Sequence, residues 1–394
     1  MVQTTDQLGL RTETARQLSA TNEKGKMKIL LLGEYSNLHA TLAQGLRQLG
    51  HEVLVVSDGT NIYNYRRDIS LYRRNSGKWE ATKYVAKLLA TLPKLKGFDI
   101  VQLINPDFLS IKAERQYRFY DFLRKHNKRM VLGAFGNDWQ WVKAGLHDRL
   151  FRYGDFNVGD KLRQDAYCLR VINEWDKSEK GRLSQYIAND CDAIVSCLYE
   201  YHLAYQQDFA EKEHFIPLPI IPKTNLHIKP RQKGQPVKFF LGIKRNLMEY
   251  KGTDLFLHAL ERLKEQHPDR CEITIVEDLP FEQYQKAMEG QDIILDQAYS
   301  YTPAMNALEA MSQGLIAVSG GEEENYEIIN ERELRPIINV YPDEDSIYHT
   351  LEQLVLNPES IPLLQKQSIE YVKKHHDYID VARKYMDVYE SLFK

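Results

Sequence analysis

The stretch MKILLLGEYSNLHATLAQGLRQLGHEVLVVS, running from Met27 to Ser57, decides the fold class. Residues 27–32, MKILLL, are an apolar run ended by Gly33 and interrupted only by Lys28 near its start, as expected of a strand covered on both faces in a parallel sheet. Leu38, Leu42, Leu46 and Leu49 then recur at helical spacing, and Gly50 stands where a helix-ending glycine belongs. A second apolar run follows at residues 53–56. Strand, helix and strand in one short stretch make a βαβ unit, whose crossover is expected to be right-handed.

The same grammar extends outward from this unit. Short apolar runs at residues 100–104, 130–132 and 193–195 add strands to an open, doubly wound α/β sheet. Pro217, Pro219, Pro222, Pro230 and Pro236 then crowd a stretch that can hold neither a long helix nor a central strand. Beyond them the pattern restarts, with strands expected over residues 239–243, 272–276, 292–295 and 315–319 and helices over 254–263 and 303–313. The last segment carries Val381, Tyr385, Val388 and Leu392 on one helical face. Upstream, the first residues are rich in Thr, Gln and charge and keep no apolar period. The expected organisation is a flexible extension at 1–26, a first domain at 27–220, a second at 221–378 and a closing helix at 379–394.

Composition narrows the classes of function. The chain has 394 residues, enough for two cores, and a formal net charge of only −3, which gives no global basis for binding nucleic acid. No window is apolar for long enough to span a membrane, and the opening segment lacks the apolar stretch of a secretory signal, so a cytoplasmic location is expected. Cys168, Cys191, Cys197 and Cys271 lack CxxC spacing and read as reduced, buried thiols. The first strand leads into GEYSNLH instead of GxGxxG, which argues against a nicotinamide dehydrogenase.

In parallel sheets, ligands collect at strand C-termini, near helix starts and glycine turns. Gly242 to Asp254 is such a junction, and its Arg245 and Lys251 suit a diphosphate, whose charge cations stabilise as a bond to it breaks. They also suit an ordinary solvated loop. Thr302 is expected to cap the helix over 303–313, with Pro303 at its first position and Gly314 at its end. Asn306 and Glu309 share one face of it, and a carboxylate there can accept hydrogen bonds from two ribose hydroxyls. Gly320-Gly321 after a strand is either a phosphate-approaching turn or a plain one. In the first domain, Gly33 to His39 opens a helix at a strand end, where His39 is either a hydrogen-bond donor to ligand or structural. The stretch from Ile62 to Arg74 interleaves Tyr with Arg and is either a solvated loop or a contact for an anionic lipid surface or a diphosphate-linked acceptor.

Taken in order, these residues resemble the retaining family-4 (group 1) glycosyltransferases of the GT-B type. The resemblance rests on Arg245, Lys251-Gly252, Glu309-Ala310-Met311 with Gly314, and Gly320-Gly321, together with the opening unit from Met27. It implies two Rossmann-like domains facing across a cleft, with the last helix crossing back to the first. It also implies a nucleotide-sugar co-substrate, UDP- or GDP-linked, and no metal, cationic side chains and helix dipoles taking that role. Arg245 and Lys251 would hold the diphosphate with Gly252 beside them, Glu309 the ribose, and Gly320-Gly321 the phosphate or donor-sugar edge, with Asn306 and Tyr301 as further donor-binding candidates. Gly33 and His39 would lie near the reacting phosphate. The acceptor would be a glycan or a lipid-linked glycan, in cell-surface polysaccharide synthesis, with peripheral contact at the membrane face. A sugar-nucleotide 2-epimerase and an inactive sugar-nucleotide-binding protein are the alternatives. Two positions depart from the family pattern. Tyr301 stands where the first Glu of a Glu-x7-Glu pair is common, and no His follows the fourth strand. Asn137 or Asp138 would act in its place, Asp138 being equally suited to cap the next helix.

Overall fold

A computed structural model describes residues 25–58, 64–223, 226, 228 and 230–394. Most of the expected N-terminal extension, and Ile62 and Tyr63 of the Tyr/Arg stretch, lie outside the described residues. The first half contains β1 (Lys28–Leu32), β2 (Glu52–Ser57), β3 (Ile69–Ser70), β4 (Ile100–Leu103), β5 (Arg129–Ala134), a hairpin of β6 (Asn157–Val158) and β7 (Lys161–Leu162), β8 (Ala193–Ser196) and β9 (Glu213–Phe215). Apart from the antiparallel hairpin, these strands form one parallel sheet in the order β3-β2-β1-β4-β5-β8-β9. Ile29, Leu30, Leu31 and Leu32 are all fully buried, so the apolar run does mark a strand covered on both faces.

The second half holds β10 (Val237–Ile243), β11 (Cys271–Glu277), β12 (Ile293–Leu295), β13 (Ile316–Ser319) and β14 (Ile338–Asn339). They form a second parallel sheet, ordered β11-β10-β12-β13-β14. Both sheets reverse strand order beside their first strand, between β1 and β4 and between β10 and β12, and such reversals open a crevice at the strand C-termini. All four cysteines are buried and unpaired.

Two passages of chain join the halves, and they run side by side. Ile220 N–H donates to the His376 carbonyl at 2.7 Å, and Tyr378 N–H donates to the Ile220 carbonyl at 3.0 Å. The last helix, Tyr378–Ser391, starts there under an Asp377 cap and covers the first sheet. Tyr389 Oη donates to Gln102 Oε1 of β4 at 2.6 Å. Gly45, inside the helix Leu38–Gln48, has no room for a side chain, because a Cβ there would lie 2.4 Å from the Tyr378 carbonyl oxygen.

A third cluster of buried side chains ties the halves together behind the cleft: Trp141, Phe151, Tyr153, Phe156 and Trp175 from the first half with Tyr301 from the second. The segment around the β6–β7 hairpin supplies much of it, and its short strands carry too little periodicity to be legible in the sequence. The helix expected over 303–313 is shorter, Met305–Met311. Thr302 does not cap it. Its hydroxyl donates instead to Glu200 Oε2 at 2.7 Å and accepts from Tyr199 N–H, so the chain stays extended through Pro303 to Ala304 before the helix begins.

Candidate functional site

A cleft of about 320 Å³ opens at the C-terminal ends of β10, β11 and β12, with Ser36 and Tyr65 of the first half forming its opposite wall. Its second-half wall includes Gly242, Lys244, Lys251, Asp296, Asn306 and Glu309. Lys251 ends the short helix Met248–Lys251, and Gly252 turns the chain into the helix Thr253–Gln266 at φ +72°. A Cβ on Gly252 would lie 2.8 Å from Ala298 Cβ and 2.9 Å from the Tyr299 ring, so glycine is needed both for the turn and for its packing. From the first half, Arg163 donates to the Glu249 carbonyl at 2.7 Å and the Tyr250 carbonyl at 3.2 Å, and stacks on the Tyr299 ring. The backbone that carries Lys251 is thus gripped from both domains.

Lys251 Nζ lies 3.6 Å from Asp296 Oδ1, which also accepts from Asn306 Nδ2 at 2.9 Å. One helical turn along, Glu309 Oε2 accepts from Gln285 Nε2 at 3.3 Å. Met305, Ala307, Leu308, Ala310 and Met311 bury the rest of that helix, leaving Asn306 and Glu309 to the cleft. Desolvation pushes the Glu309 carboxyl up to about 7, with Lys223 opposing. The wall therefore combines an ammonium with carboxylates that can accept hydroxyl protons. Such a surface suits an anionic, hydroxylated ligand.

Lys251, Asn306 and Glu309 are brought together, with Gly252 shaping their turn; the other sequence-derived candidates stand elsewhere. Arg245 is not among the residues that line the cleft: its side chain is 76% exposed and pairs with Glu277, Nε to Oε2 at 2.6 Å. Gly320 and Gly321 are buried against Ser300 and Ile337, and Gly321 N–H is already taken by Asn339 Oδ1 at 2.9 Å, so close packing explains both glycines. Tyr301 is 2% exposed, packed beside Phe151 and Tyr153, and its hydroxyl accepts from Arg152 N–H at 2.8 Å. It belongs to the domain contact and does not line the cleft.

The first-half candidates are mostly structural. His39 is fully buried. Its Nδ1 faces the Gly33 carbonyl at 2.8 Å and so carries the proton, while Nε2 accepts from Gln102 Nε2 at 3.2 Å. Burial lowers its pKa to about 4 and keeps the ring neutral. Asp138 is likewise fully buried, capping the following helix through Trp141 N–H and accepting from Tyr205 Oη at 2.7 Å. Burial raises its carboxyl to about 6. Asn137 donates to Tyr167 Oη at 3.1 Å. Gly33, at φ +89°, packs on Ile104 beside a separate small hollow of about 190 Å³. The N–H groups of His39 and Ala40, at the helix start that would face a phosphate, are occupied by the Glu34 carboxylate at 3.2 and 2.9 Å.

Sequence reasoning missed Asp296, Lys244, Ser36 and Tyr65. Asp296 had a readable signal, an acid directly after the apolar strand β12, and Lys244 lies in the same junction as Lys251; Ser36 and Tyr65 reach the cleft only through how the two halves meet.

No family model matches the chain, and no curated protein matches its sequence. Solved structures do match over nearly the whole length. Sucrose-phosphate synthase from Thermosynechococcus elongatus is 14% identical, with a TM-score of 0.57 over 93% of this chain and 99% of that one. Anabaena HepE in complex with UDP and glucose is 14% identical, with a TM-score of 0.56 over 93% and 100%. The catalytic domain of starch synthase IV from Arabidopsis thaliana, bound to ADP and acarbose, is 10% identical, with a TM-score of 0.58 over 93% and 99%. The fold is GT-B. In this GT-B chain the cleft lies between the two Rossmann-like sheets, and the closing helix crosses back to the first.

Proposed function

We propose that this chain is a glycosyltransferase that moves a sugar from a nucleotide-sugar donor to a hydroxyl of a glycan or lipid-linked acceptor, with retention at the anomeric carbon and without a metal. The observation that carries the reading is the convergence of Lys251, Asn306 and Glu309 on one cleft at the C-terminal ends of β10 and β12. Lys251 neutralises the diphosphate and stabilises it as a leaving group, with Lys244 on the same wall. Glu309 receives the ribose hydroxyls. Retention and metal independence come from the family-4 resemblance. The GT-B neighbours solved with UDP and glucose and with ADP and acarbose support a nucleotide-linked donor.

A lipid-linked acceptor brings the chain to an anionic membrane face. Residues 64–128 support that contact, with 15 Lys and Arg against 6 Asp and Glu in a chain of net charge −3. Among the described residues no helix is long and apolar enough to cross a membrane.

One observation favours a second reading. His39 and Asp138 are spent on internal hydrogen bonds, so a sugar-nucleotide-binding protein without turnover fits the same cleft.

Calorimetric titration with UDP, GDP and ADP, followed by turnover with the matching nucleotide-sugar, tests both. The transferase reading expects binding, acceptor-dependent release of nucleoside diphosphate, and loss of about tenfold or more in affinity on Lys251→Ala. Unchanged affinity in that variant removes the clamp assignment. An inverted anomeric configuration in the product, seen by NMR, removes retention. Binding without release under any acceptor leaves the binding-protein reading.

A further inference from the structure

Asp296 directly follows β12, and its side chain is 2% exposed while still lining the cleft. Its two oxygens are treated differently. Oδ1 accepts from Asn306 Nδ2 and lies near Lys251 Nζ, whereas Oδ2 is buried and meets no hydrogen-bond donor among the described residues. A buried carboxylate oxygen without a donor is costly, and a fold keeps one where a ligand or water completes it.

The chemistry of a nucleotide-sugar narrows what completes it. Phosphate oxygens only accept hydrogen bonds and repel a carboxylate, so the diphosphate is not the partner. Hydroxyl groups donate. The ribose hydroxyls are accounted for by Glu309, one turn farther along the helix Met305–Met311. Of the donor's own hydroxyls those of the transferred sugar remain, and that sugar is bonded to the diphosphate and therefore lies next to Lys251, the neighbour of Asp296. Tyr301 supplies no acceptor to the cleft, its hydroxyl taking Arg152 N–H inside the domain contact.

We propose that Asp296 is the carboxylate that recognises a hydroxyl of the transferred sugar, through Oδ2, while its Oδ1 holds Lys251 toward the diphosphate. The assignment rests on the reading of the cleft as a nucleotide-sugar site. It makes the donor a sugar with a free hydroxyl at the position facing Asp296. Removing that hydroxyl, or replacing the carboxylate by an amide that keeps Oδ1 as the acceptor for Asn306 and Lys251, affects sugar recognition and leaves nucleotide recognition in place.

The test is calorimetric titration of the full chain and of Asp296→Asn with UDP, GDP and ADP and with UDP-glucose, GDP-mannose and ADP-glucose. For the pair that binds, the variant is expected to lose about tenfold in affinity for the nucleotide-sugar while its affinity for the nucleoside diphosphate stays within about twofold. An equal loss for both ligands overturns the proposal and reduces Asp296 to a residue that positions Lys251. No loss for either also overturns it, and leaves the cleft reading standing. If the unaltered chain binds none of the six, the cleft reading fails and the proposal falls with it. Should Asp296→Asn not fold, deoxy analogues of the bound sugar nucleotide on the unaltered chain decide the matter. One missing hydroxyl is expected to cost about tenfold, and a series with no such position overturns the assignment.

Discussion

Glu309 is a carboxyl kept partly out of water by the elements that form the cleft. Its ordinary value is 4.5, and burial raises it to about 7. Ionisation is therefore harder in the folded chain than in the unfolded one. The stability this group lends is fully present below pH 4.5 and is lost as pH rises through about 7. Glu309→Gln does not ionise, so its melting temperature is expected to fall less than that of the unaltered chain between pH 5 and pH 8, with a gain on the order of 1–3 kcal/mol at the upper end. Thermal melts across that range check it; parallel curves for the two proteins would contradict it. His39 and Asp138 show the same physics put to a different use. Burial lowers the imidazole and raises the carboxyl, and both are already engaged in internal hydrogen bonds.

Among the elements, the closing helix decides how the first sheet is covered. It reaches the sheet only because Gly45 lets the Tyr378 carbonyl and Ala382 come into contact with the helix Leu38–Gln48. From there Tyr389 donates to Gln102, Gln102 to His39, and His39 to the Gly33 carbonyl, so a chain of buried hydrogen bonds runs from the last helix into the first cleft loop. Gly45→Ala would gain about 1 kcal/mol in helix propensity in isolation. Here the added methyl meets a backbone oxygen that cannot move aside, and a net loss of about 1–3 kcal/mol is expected. Urea denaturation measures it; a stabilised variant would show that the two helices are not packed at this position.

At the scale of the whole molecule, the domain contact is built from buried polar groups as well as apolar ones. Glu200, 6% exposed and on the first half, accepts from Tyr301 N–H at 2.7 Å, Thr302 N–H at 3.2 Å and the Thr302 hydroxyl at 2.7 Å, all on the second. Arg152 pairs with Glu322 and Glu324, and Tyr250 Oη reaches across to Asp155 at 2.7 Å. The exposed Arg152 pairs contribute little by themselves, but removing Glu200 strands three buried donors at once. Glu200→Ala is expected to lose about 2–4 kcal/mol of coupling between the halves. Scanning calorimetry would then resolve two thermal transitions in place of one cooperative one. A single unshifted transition would mean that the apolar cluster around Tyr301 alone couples the domains.

The sequence by itself determined the two parallel sheets, because strands buried on both faces must read as apolar runs, and those at residues 29–32 and 239–243 do. It also determined the shared face of Asn306 and Glu309, since helical spacing is a local property. Tertiary structure alone decided which candidates reach the cleft. Arg245 and Lys251 stand six positions apart in the same junction, yet one turns to Glu277 and solvent and the other to Asp296. Tyr301 was drawn into the domain contact by Arg152 and Glu200, partners far from it in sequence. Asp138 became a cap and His39 a link in a buried chain for the same reason. A side chain's chemistry is written in its residue type, but its availability depends on which distant groups have already satisfied it, and only the packed chain brings those groups within reach.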